Sequence, residues 1–523
     1  MLFRIKLVMG VNALIFTEIM DKNFSYGRAI GAYRIAAEIR KEEYTCQIID
    51  FFTEFTDEEM EKLMAAFIGP ETLIVGFSST FFSYKDEKLD NFQKIASGGK
   101  ETQPPGNQIN TPHYPYHRDR MIAWFDKMKK INPKLKIVLG GAKTNFRVGP
   151  CDAYAVGYCD RAIIEYMKFI EGKNPFFQYE RVNDDQIMFL GDKNSGKFDF
   201  TNSVFSWHET DHIIPGEALP IELARGCIFK CKFCAYPLNG KKKLDFIKKS
   251  DILRDEFLKN YYEKGVTRYM YLDDTHNDSI EKLEELHKIV SSLPFEIEYS
   301  AYLRHDLIHA HKETATLLRE SGLRSAIFGI ESLNYESAKA IGKGLHPEKI
   351  KDLLYWLKND IWKDEVAMTS GFIVGLPHDT PETVLKWTEW LLDPACPLDA
   401  FQFEPLYIAN TTLTSRVWRS EFESTSEKYG YILGEYGNWQ NQHFTFKSAQ
   451  KMAWEIAKKA TRSNRYRCAG WPVIMMSNLG LNPKELIGTS RNISFARINS
   501  LRKQYITKYK TSILTQISHE ISV

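Results

Sequence analysis

The stretch ELARGCIFKCKFCAYPLNG (222–240) gathers three of the chain's eight cysteines, at Cys227, Cys231 and Cys234. Three thiolates on one short loop can converge on a metal or a cluster, and sulfur ligands select zinc or iron–sulfur centres. A structural zinc site takes four ligands, and this loop carries no fourth. The spacing C-x3-C-x2-C therefore favours a [4Fe–4S] cluster with one open iron. The alternatives are a zinc loop completed by a distant residue, or three unrelated reduced thiols.

The composition predicts an ordinary globular protein. Of the 523 residues, 43% are hydrophobic and 26% are charged, and the formal net charge is +2. At about 100–200 residues per domain, this length predicts two or three domains, each with its own core. The sequence has no run of about 18 apolar residues, which predicts that it does not enter a membrane. Because the other five cysteines are scattered, we expect no disulfide framework and a cytoplasmic protein.

The first 180 residues alternate short apolar stretches with amphipathic ones. This alternation predicts an α/β domain with a doubly wound, Rossmann-like parallel sheet. A segment rich in Gly, Pro, Asn and Gln (96–116) is predicted to be an insertion loop, and residues 181–215, rich in turn formers, a linker. The predicted strands are 4–16, 45–52, 72–79, 135–142 and 153–158, and the predicted helices are 27–41, 57–67, 117–131 and 160–171.

A second series of strands and helices follows over residues 216–415. Six β–α units predict a partial, TIM-like (β/α)6 barrel whose functional groups lie at the C-terminal ends of its strands. The three cysteines follow the first of these strands. Residues 416–523 are predicted to form a mainly helical region that covers the substrate. The predicted strands are 221–226, 268–274, 296–304, 324–332, 366–377 and 400–407, and the predicted helices are 250–264, 278–292, 312–320, 335–341, 347–360 and 380–392.

The cysteine spacing, with an aromatic residue before the third cysteine and six β–α units after it, resembles the radical S-adenosylmethionine (SAM) superfamily. The resemblance covers roughly residues 200–410. It implies that the three cysteines bind one [4Fe–4S] cluster, whose open iron chelates SAM. It further implies an enzyme that cleaves SAM reductively to methionine and a 5′-deoxyadenosyl radical, which abstracts hydrogen from a substrate.

The same resemblance assigns SAM-binding roles to residues at the strand ends. The aromatic segment beside the third cysteine would lie against the adenine, and an acidic pair after the second strand would hold the methionine amino group. Alternatively, one of that pair caps the next helix. An arginine would pair with the methionine carboxylate, a glutamate with the ribose, and a glycine motif would approach the nucleoside. In this order the residues are Phe233, Ala235 and Tyr236; Asp273 and Asp274; Arg304; Glu331; and Gly371, Ile373 and Gly375.

The N-terminal domain, placed before such a barrel, resembles the cobalamin-binding domain of a radical SAM subfamily that includes many methyltransferases. Members whose histidine ligates cobalt carry Asp-x-His-x-x-Gly after the first strand. The corresponding region here, IMDKNFSYGRAIG (19–31), has no histidine. Cobalamin bound without a protein ligand, and a fold retained without the cofactor, are both compatible with this sequence.

Methylthiolation would require a second cluster, and the N-terminal cysteines Cys46, Cys151 and Cys159 are not compactly spaced. Two basic stretches, 225–249 and 461–510, fit a phosphate-bearing or nucleic-acid-derived substrate. They fit better a solvated face that docks an acidic reductant such as flavodoxin or ferredoxin, because the chain as a whole is far from strongly basic. The rival function is a non-catalytic binding or scaffold protein with a structural zinc or iron–sulfur site. Substrate and catalytic residues are not predicted.

Overall fold

The computed structural model describes residues 10–18, 27–78, 83–85, 115–141, 151–196, 198–408, 418–434, 438–462, 477–481 and 495–521. The predicted insertion loop lies outside the described residues except for its last two positions. Residues 4–9 of the first predicted strand also lie outside them.

A seven-stranded sheet organises the N-terminal half. Its helices are α1 (Ile30–Lys41), α2 (Asp57–Phe67), α3 (Arg118–Ile131), α4 (Ala162–Ile170) and α5 (Gly191–Asn194). The strands of this half are β1 (Ala13–Phe16), β2 (Cys46–Ile49), β3 (Ile74–Ser78), β4 (Ser83–Lys85), β5 (Pro115–His117), β6 (Lys136–Gly141), β7 (Ala153–Val156), β8 (Glu180–Arg181) and β9 (Ile187–Leu190).

The order in this sheet is β2-β1-β3-β6-β7-β9-β8, and every pairing except β8–β9 is parallel. β4 and β5 pair with each other, apart from the main sheet. Five strands and four helices agree with the sequence prediction to within a few residues at most ends. β9 was not predicted, because its flanks are polar and rich in turn formers. It lies in the stretch assigned to a linker, so this part of 181–215 belongs to the sheet.

Strand β1 shows why this sheet is covered on both faces. All four of its residues are buried. Ala13 and Ile15 face one hydrophobic core, which includes Ala36 of α1. Leu14 and Phe16 face a second core, which includes Leu63 of α2. Because successive side chains point to opposite faces of a strand, such a continuous apolar run marks the centre of a parallel sheet.

The second half forms a six-stranded, fully parallel sheet in the sequential order β10 to β15. The strands are β10 (Leu219–Ile221), β11 (Arg268–Tyr271), β12 (Glu298–Leu303), β13 (Leu323–Glu331), β14 (Ala367–Val374) and β15 (Ala400–Pro405). The helices are α6 (Ser250–Lys264), α7 (Ile280–Ser291), α8 (His305–Ala310), α9 (Glu313–Glu320), α10 (Tyr335–Ala340), α11 (Pro347–Trp356) and α12 (Pro381–Leu392).

The predicted partial barrel is confirmed: among the described strands, β15 does not pair back to β10. A π-helical turn (Leu357–Ile361) continues α11, which accounts for the longer helix predicted there. The short helix α8 was not predicted. The first barrel strand ends at Ile221, earlier than predicted. Residues 224–226, just before the first cysteine, therefore belong to the loop.

The C-terminal region is mainly helical, as predicted. It contains α13 (Glu421–Ser424), β16 (Ile432–Leu433), β17 (Trp439–Gln440), α14 (Phe446–Arg462) and α15 (Phe495–Ile521). Helix α15 packs on the N-terminal domain, where Tyr505 and Tyr509 contact Phe51 edge-on. None of the helices within the described ranges is long and apolar enough to span a bilayer.

Arg28 joins the N-terminal domain to the rest of the molecule. Its buried guanidinium pairs with Asp50 at 2.9 Å and also with Glu217, just before β10. It donates to the carbonyl of His212 at 2.8 Å. From α15, the Tyr505 hydroxyl donates to Glu217 at 2.9 Å. Removing one partner of a buried pair is costly, so this junction holds three segments in one arrangement.

Gly375, just after β14, is required by packing. Its φ is +91°, and an added Cβ would lie 2.4 Å from the Trp439 ring. We expect Gly375→Ala to lower the free energy of unfolding by about 2–4 kcal/mol through backbone strain and overpacking. Gly371→Ala is the control, because no atom lies within 4 Å of its added Cβ. Equal denaturation midpoints for the two variants would contradict this assignment.

Candidate active site

A cavity of about 620 Å³ lies where the C-terminal edges of the two sheets meet. Ligands of parallel α/β sheets bind at this edge. The N-terminal domain contributes Gly31 from α1, Ser78 from β3, Gly140 and Gly141 from β6, and Gly157 and Tyr158 after β7. The barrel contributes Cys227, Cys231, Phe233, Cys234, Tyr236, Asp273, Asp274, Thr275, Arg304, Glu331 and Lys343.

The three cysteines lie on the loop after β10, partly buried and without disulfides. The Asn239 side chain donates to Cys234 Sγ at 3.1 Å, and Thr275 Oγ1 lies 3.2 Å from Cys227 Sγ. Arg304 Nη1 lies 3.5 Å from Cys231 Sγ. Each sulfur therefore has a polar neighbour, although burial outweighs these contacts at Cys227 and raises the pKa of its thiol.

The donor set of this loop is three partly buried thiols, and thiolates are the ligands that an iron–sulfur cluster takes. A structural zinc ion would need a fourth ligand in addition. Zinc–sulfur bonds of about 2.3 Å would draw tetrahedral ligands to within about 4 Å of one another. A cluster of four irons instead spreads its thiolates over several metal atoms.

Residues 238–240, which follow the third cysteine, pack against the start of the cysteine loop. The amide of Gly240 donates to the Cys227 carbonyl at 2.7 Å, and Cys227 forms an isolated bridge with Asn239. Gly226 precedes the first cysteine with φ of +77°, and its added Cβ would lie 2.5 Å from Leu238 Cβ. Glycine is required here because the two loops approach so closely.

The two aspartates after β11, Asp273 and Asp274, differ in their surroundings. Asp273 is buried and accepts from the amides of Leu223 and Ala224 at 3.0 and 2.9 Å. Lys282 lies 3.3 Å away. Burial opposes ionisation of Asp273, but Lys282 and the hydrogen bonds outweigh it and hold its pKa at about 2. Asp273 thus braces the start of the cysteine loop.

Asp274 faces the cavity, and its Oδ2 is buried without a hydrogen-bond partner. Burial, and then the charge of Asp273, raise the pKa of Asp274 to about 7. Neither carboxylate caps the following helix, since Ser279 caps α7. The capping alternative is therefore wrong, and binding of the methionine amino group remains a prediction, now for Asp274.

Arg304 and Glu331 both line the cavity, as the resemblance implies. The Arg304 guanidinium stacks 3.7 Å from the Phe229 ring centroid and pairs with Asp306. Glu331 ends β13 with φ of +67°, a strained conformation for this residue. Lys343 pairs with it at 3.3 Å. The sequence interpretation missed Lys343, which lies 12 residues further along the chain.

The remaining predicted residues differ in position. Phe233 and Tyr236 line the cavity, whereas Ala235, Gly371, Ile373 and Gly375 are not among its lining residues. Gly375 packs on Trp439, and its carbonyl accepts from the Tyr431 hydroxyl at 2.7 Å. The structure thus gives Gly375 a packing role, and contact of the glycine motif with a nucleoside stays a prediction.

The sequence interpretation also missed an ion-pair network between the domains. Arg225, two residues before the first cysteine, makes a bidentate pair with Asp160 of the N-terminal domain at 2.7 and 2.9 Å. It also pairs with Glu222 at 2.9 Å and stacks 4.6 Å from the Tyr158 ring centroid. Burial raises the pKa of Glu222, but Arg225 and Arg34 outweigh it and hold that pKa at about 2.

Small residues shape the N-terminal side of the cavity. Gly31 has no atom within 4 Å of an added Cβ. Gly76 and Ala155 also line this side. No histidine is among the described lining residues. Among its described residues, this side of the cavity therefore combines small side chains with aliphatic ones such as Ile74 and Val138.

A model of the radical SAM superfamily matches residues 221–391. This match confirms the recognition of the cysteine motif and indicates an enzyme. An uncharacterized methyltransferase of Pyrococcus horikoshii is 26% identical over 205 residues, which cover 38% of this chain and 43% of that protein. The chain therefore matches less than half the length of this curated relative.

Two solved structures share the whole architecture. The radical SAM methyltransferase TsrM from Kitasatospora setae, with cobalamin and a [4Fe–4S] cluster bound, is 13% identical with a TM-score of 0.59. That match covers 96% of this chain and 100% of TsrM. The cobalamin-dependent SAM radical enzyme OxsB, with aqua-cobalamin bound, is 10% identical with a TM-score of 0.54, covering 98% and 81% of the chains. At these identities the likeness concerns the fold, and it confirms the predicted fold class.

The network predicts that Asp160 holds the two domains together. We expect Asp160→Asn to lower the free energy of unfolding by about 3 kcal/mol, because Arg225 then remains buried with part of its compensation lost. Asp184→Asn, an exposed site in the same domain, is the matched control. Thermal melts of both variants test this, and an unchanged midpoint for Asp160→Asn would contradict it.

The raised pKa of Asp274 predicts a pH dependence of stability. Between about pH 4 and pH 7 the folded state keeps a proton that the unfolded chain releases, so rising pH costs stability until about pH 7 and no further above it. We expect Asp274→Asn to remove this loss. Urea unfolding at pH 5, 6, 7 and 8 compares the two proteins, and parallel pH profiles would refute the prediction.

Proposed function

We propose that this protein is a cobalamin-dependent radical SAM methyltransferase with one [4Fe–4S] cluster. The observation that carries this proposal is the shared cavity. The cysteine loop and the barrel strand ends line one side of it, and the small-residue edge of the N-terminal sheet lines the other. Two cofactors held on these two sides would face a common space in which a substrate could bind.

The residues divide naturally between the cofactors. Cys227, Cys231 and Cys234 would hold the cluster, and the strand-end residues Asp274 and Arg304 would hold the amino-acid portion of SAM. Gly31 and the glycines that end β6 would face the corrin of cobalamin. When bound, the cluster supplies the electron that cleaves SAM, and cobalamin supplies a carrier for a methyl group.

The chain's own groups prepare this space for charged ligands. The unpartnered Oδ2 of Asp274 can accept a hydrogen bond from an ammonium group without giving up an existing partner. Arg304 keeps a positive charge beside the cysteines, since its pairing with Asp306 offsets the cost of burial and raises its pKa. The cavity also receives the Lys343 ammonium, which is nearly buried.

The test is anaerobic reconstitution followed by mass spectrometry. We expect about four irons and four sulfides per chain. With SAM and dithionite, we expect 5′-deoxyadenosine, and S-adenosylhomocysteine that depends on added cobalamin. Cys231→Ala should abolish both products. Zinc retained through purification, with no SAM cleavage under reduction, would instead support the non-catalytic alternative.

Cobalamin binding has its own matched pair of variants. We expect Gly31→Phe to lower cobalamin retention on gel filtration at least tenfold, because the ring would fill the open space beside α1. Gly31→Ala should retain the cofactor, and both variants should keep the iron content of the parent protein. Equal retention by the two variants would place cobalamin elsewhere.

A further inference from the structure

Asn239 contacts two of the three cysteines at once. Its backbone forms the isolated bridge with Cys227, and its side-chain Nδ2 donates to Cys234 Sγ at 3.1 Å. The same Nδ2 donates to the Cys234 carbonyl at 3.4 Å. The Asn239 side chain is half-buried and lines the cavity. A single residue therefore fixes the position of one sulfur relative to the backbone that carries another.

Backbone hydrogen bonds hold the chain on both sides of Asn239. The Cys227 amide donates to the Leu238 carbonyl at 3.4 Å. The amides of Gly240 and Lys241 both donate to the Cys227 carbonyl, at 2.7 and 3.2 Å. These bonds restrict the backbone of Asn239, so its side-chain amide is directed at the third cysteine in advance. A donor held in this way costs no reorganisation when negative charge develops on its acceptor.

The side-chain contacts to the other two cysteine sulfurs are longer, and their donors are shared. Thr275 Oγ1 lies 3.2 Å from the sulfur of the first cysteine, but its one hydroxyl hydrogen also has the Asp274 carbonyl as an acceptor at 2.9 Å. Arg304 Nη1 lies 3.5 Å from the sulfur of the second cysteine, and the guanidinium pairs with Asp306. Asn239 has two N–H groups, one for each of its two acceptors. Its bond to sulfur therefore competes with no other acceptor.

A hydrogen bond to a ligand sulfur changes the reduction potential of an iron–sulfur cluster. Reduction adds one electron, and part of the added negative charge lies on the thiolate sulfurs. Because hydrogen bonds to charged acceptors strengthen with the charge, an N–H donor stabilises the reduced state more than the oxidised one. Donation to Cys234 therefore raises the reduction potential and makes electron uptake easier.

We propose that Asn239 is a positioning residue that raises the reduction potential of the cluster through its hydrogen bond to Cys234. In the reduction step, dithionite loses one electron and the cluster gains it, and no atom or proton is transferred to the cluster. Asn239 acts through the ligand sulfur and takes no part in bond cleavage. This inference rests on the proposed function, because it concerns the same cluster.

The test is a redox titration of the reconstituted protein without SAM or cobalamin, followed by the electron paramagnetic resonance signal of the reduced cluster. Asn239→Leu has a side chain of similar size but no donor. At the midpoint potential of the parent protein, we expect its ratio of reduced to oxidised cluster to fall at least tenfold, a shift of about 59 mV for one electron. Asn239→Asp should lower the ratio at least as much, because an ionised carboxylate only accepts hydrogen bonds. The matched control is Asn359→Leu, an exposed site in the π-helical turn, which should keep the ratio of the parent.

Equal midpoint potentials for the parent and both Asn239 variants would overturn this inference. So would an equal shift in Asn359→Leu, or a loss of iron from both Asn239 variants, which would leave Asn239 a purely structural role. The proposed function fails separately if the parent holds the cluster but yields no 5′-deoxyadenosine with SAM and dithionite. The titration still decides the role of Asn239 in that case. A parent protein that takes up no iron and sulfide would overturn both proposals.

Discussion

The bidentate pair between Arg225 and Asp160 determines how the two halves of the molecule meet. Both side chains are buried, and the pair joins the end of the N-terminal sheet to the residue two positions before Cys227. Buried pairs give little net stability, because the cost of desolvation offsets their attraction. Their directional geometry is restrictive, however, and here it sets the register of the cysteine loop against the edge of the other sheet. Asp160 and Arg225 both line the common cavity, so the pair lies where the two sheets meet.

The two aspartates after β11 show how adjacent residues acquire opposite properties. Asp273 has Lys282 and two backbone amides as partners, so it stays ionised and its task is structural. Asp274 is similarly shielded from water but lacks a partner for Oδ2, so ionisation is costly until a cation arrives. A ligand bearing an ammonium group would supply that cation. Asp273 therefore has a structural role, and the adjacent Asp274 is the proposed binding group for an ammonium ligand.

The sequence predicted the repeating elements well and their long-range contacts poorly. Buried parallel strands such as β1 can be recognised from continuous apolar runs between helices. The cysteine motif can also be recognised locally, because its ligands lie within a few residues of one another. Asp160 and Arg225 are 65 residues apart, and nothing in local periodicity pairs them. β9 was not predicted because its flanking residues are turn formers and because its burial depends on pairing with β7. Gly375 belongs to a recognisable sequence motif, but in the structure it packs against Trp439 of the C-terminal region.

The cysteine loop separates two chemical environments. Its inner side faces the cavity, where Asp274 Oδ2 is buried without a hydrogen-bond partner and Arg304 pairs with Asp306. After Gly240 the chain continues into a segment whose Lys242, Lys243 and Lys249 are exposed. Under the proposed function this separation would matter, because an enclosed space protects a reactive species from side reactions. Close contacts at Gly226 and Gly240 fix the loop between the two environments, because an added Cβ would overlap Leu238 at the first position and Lys230 at the second.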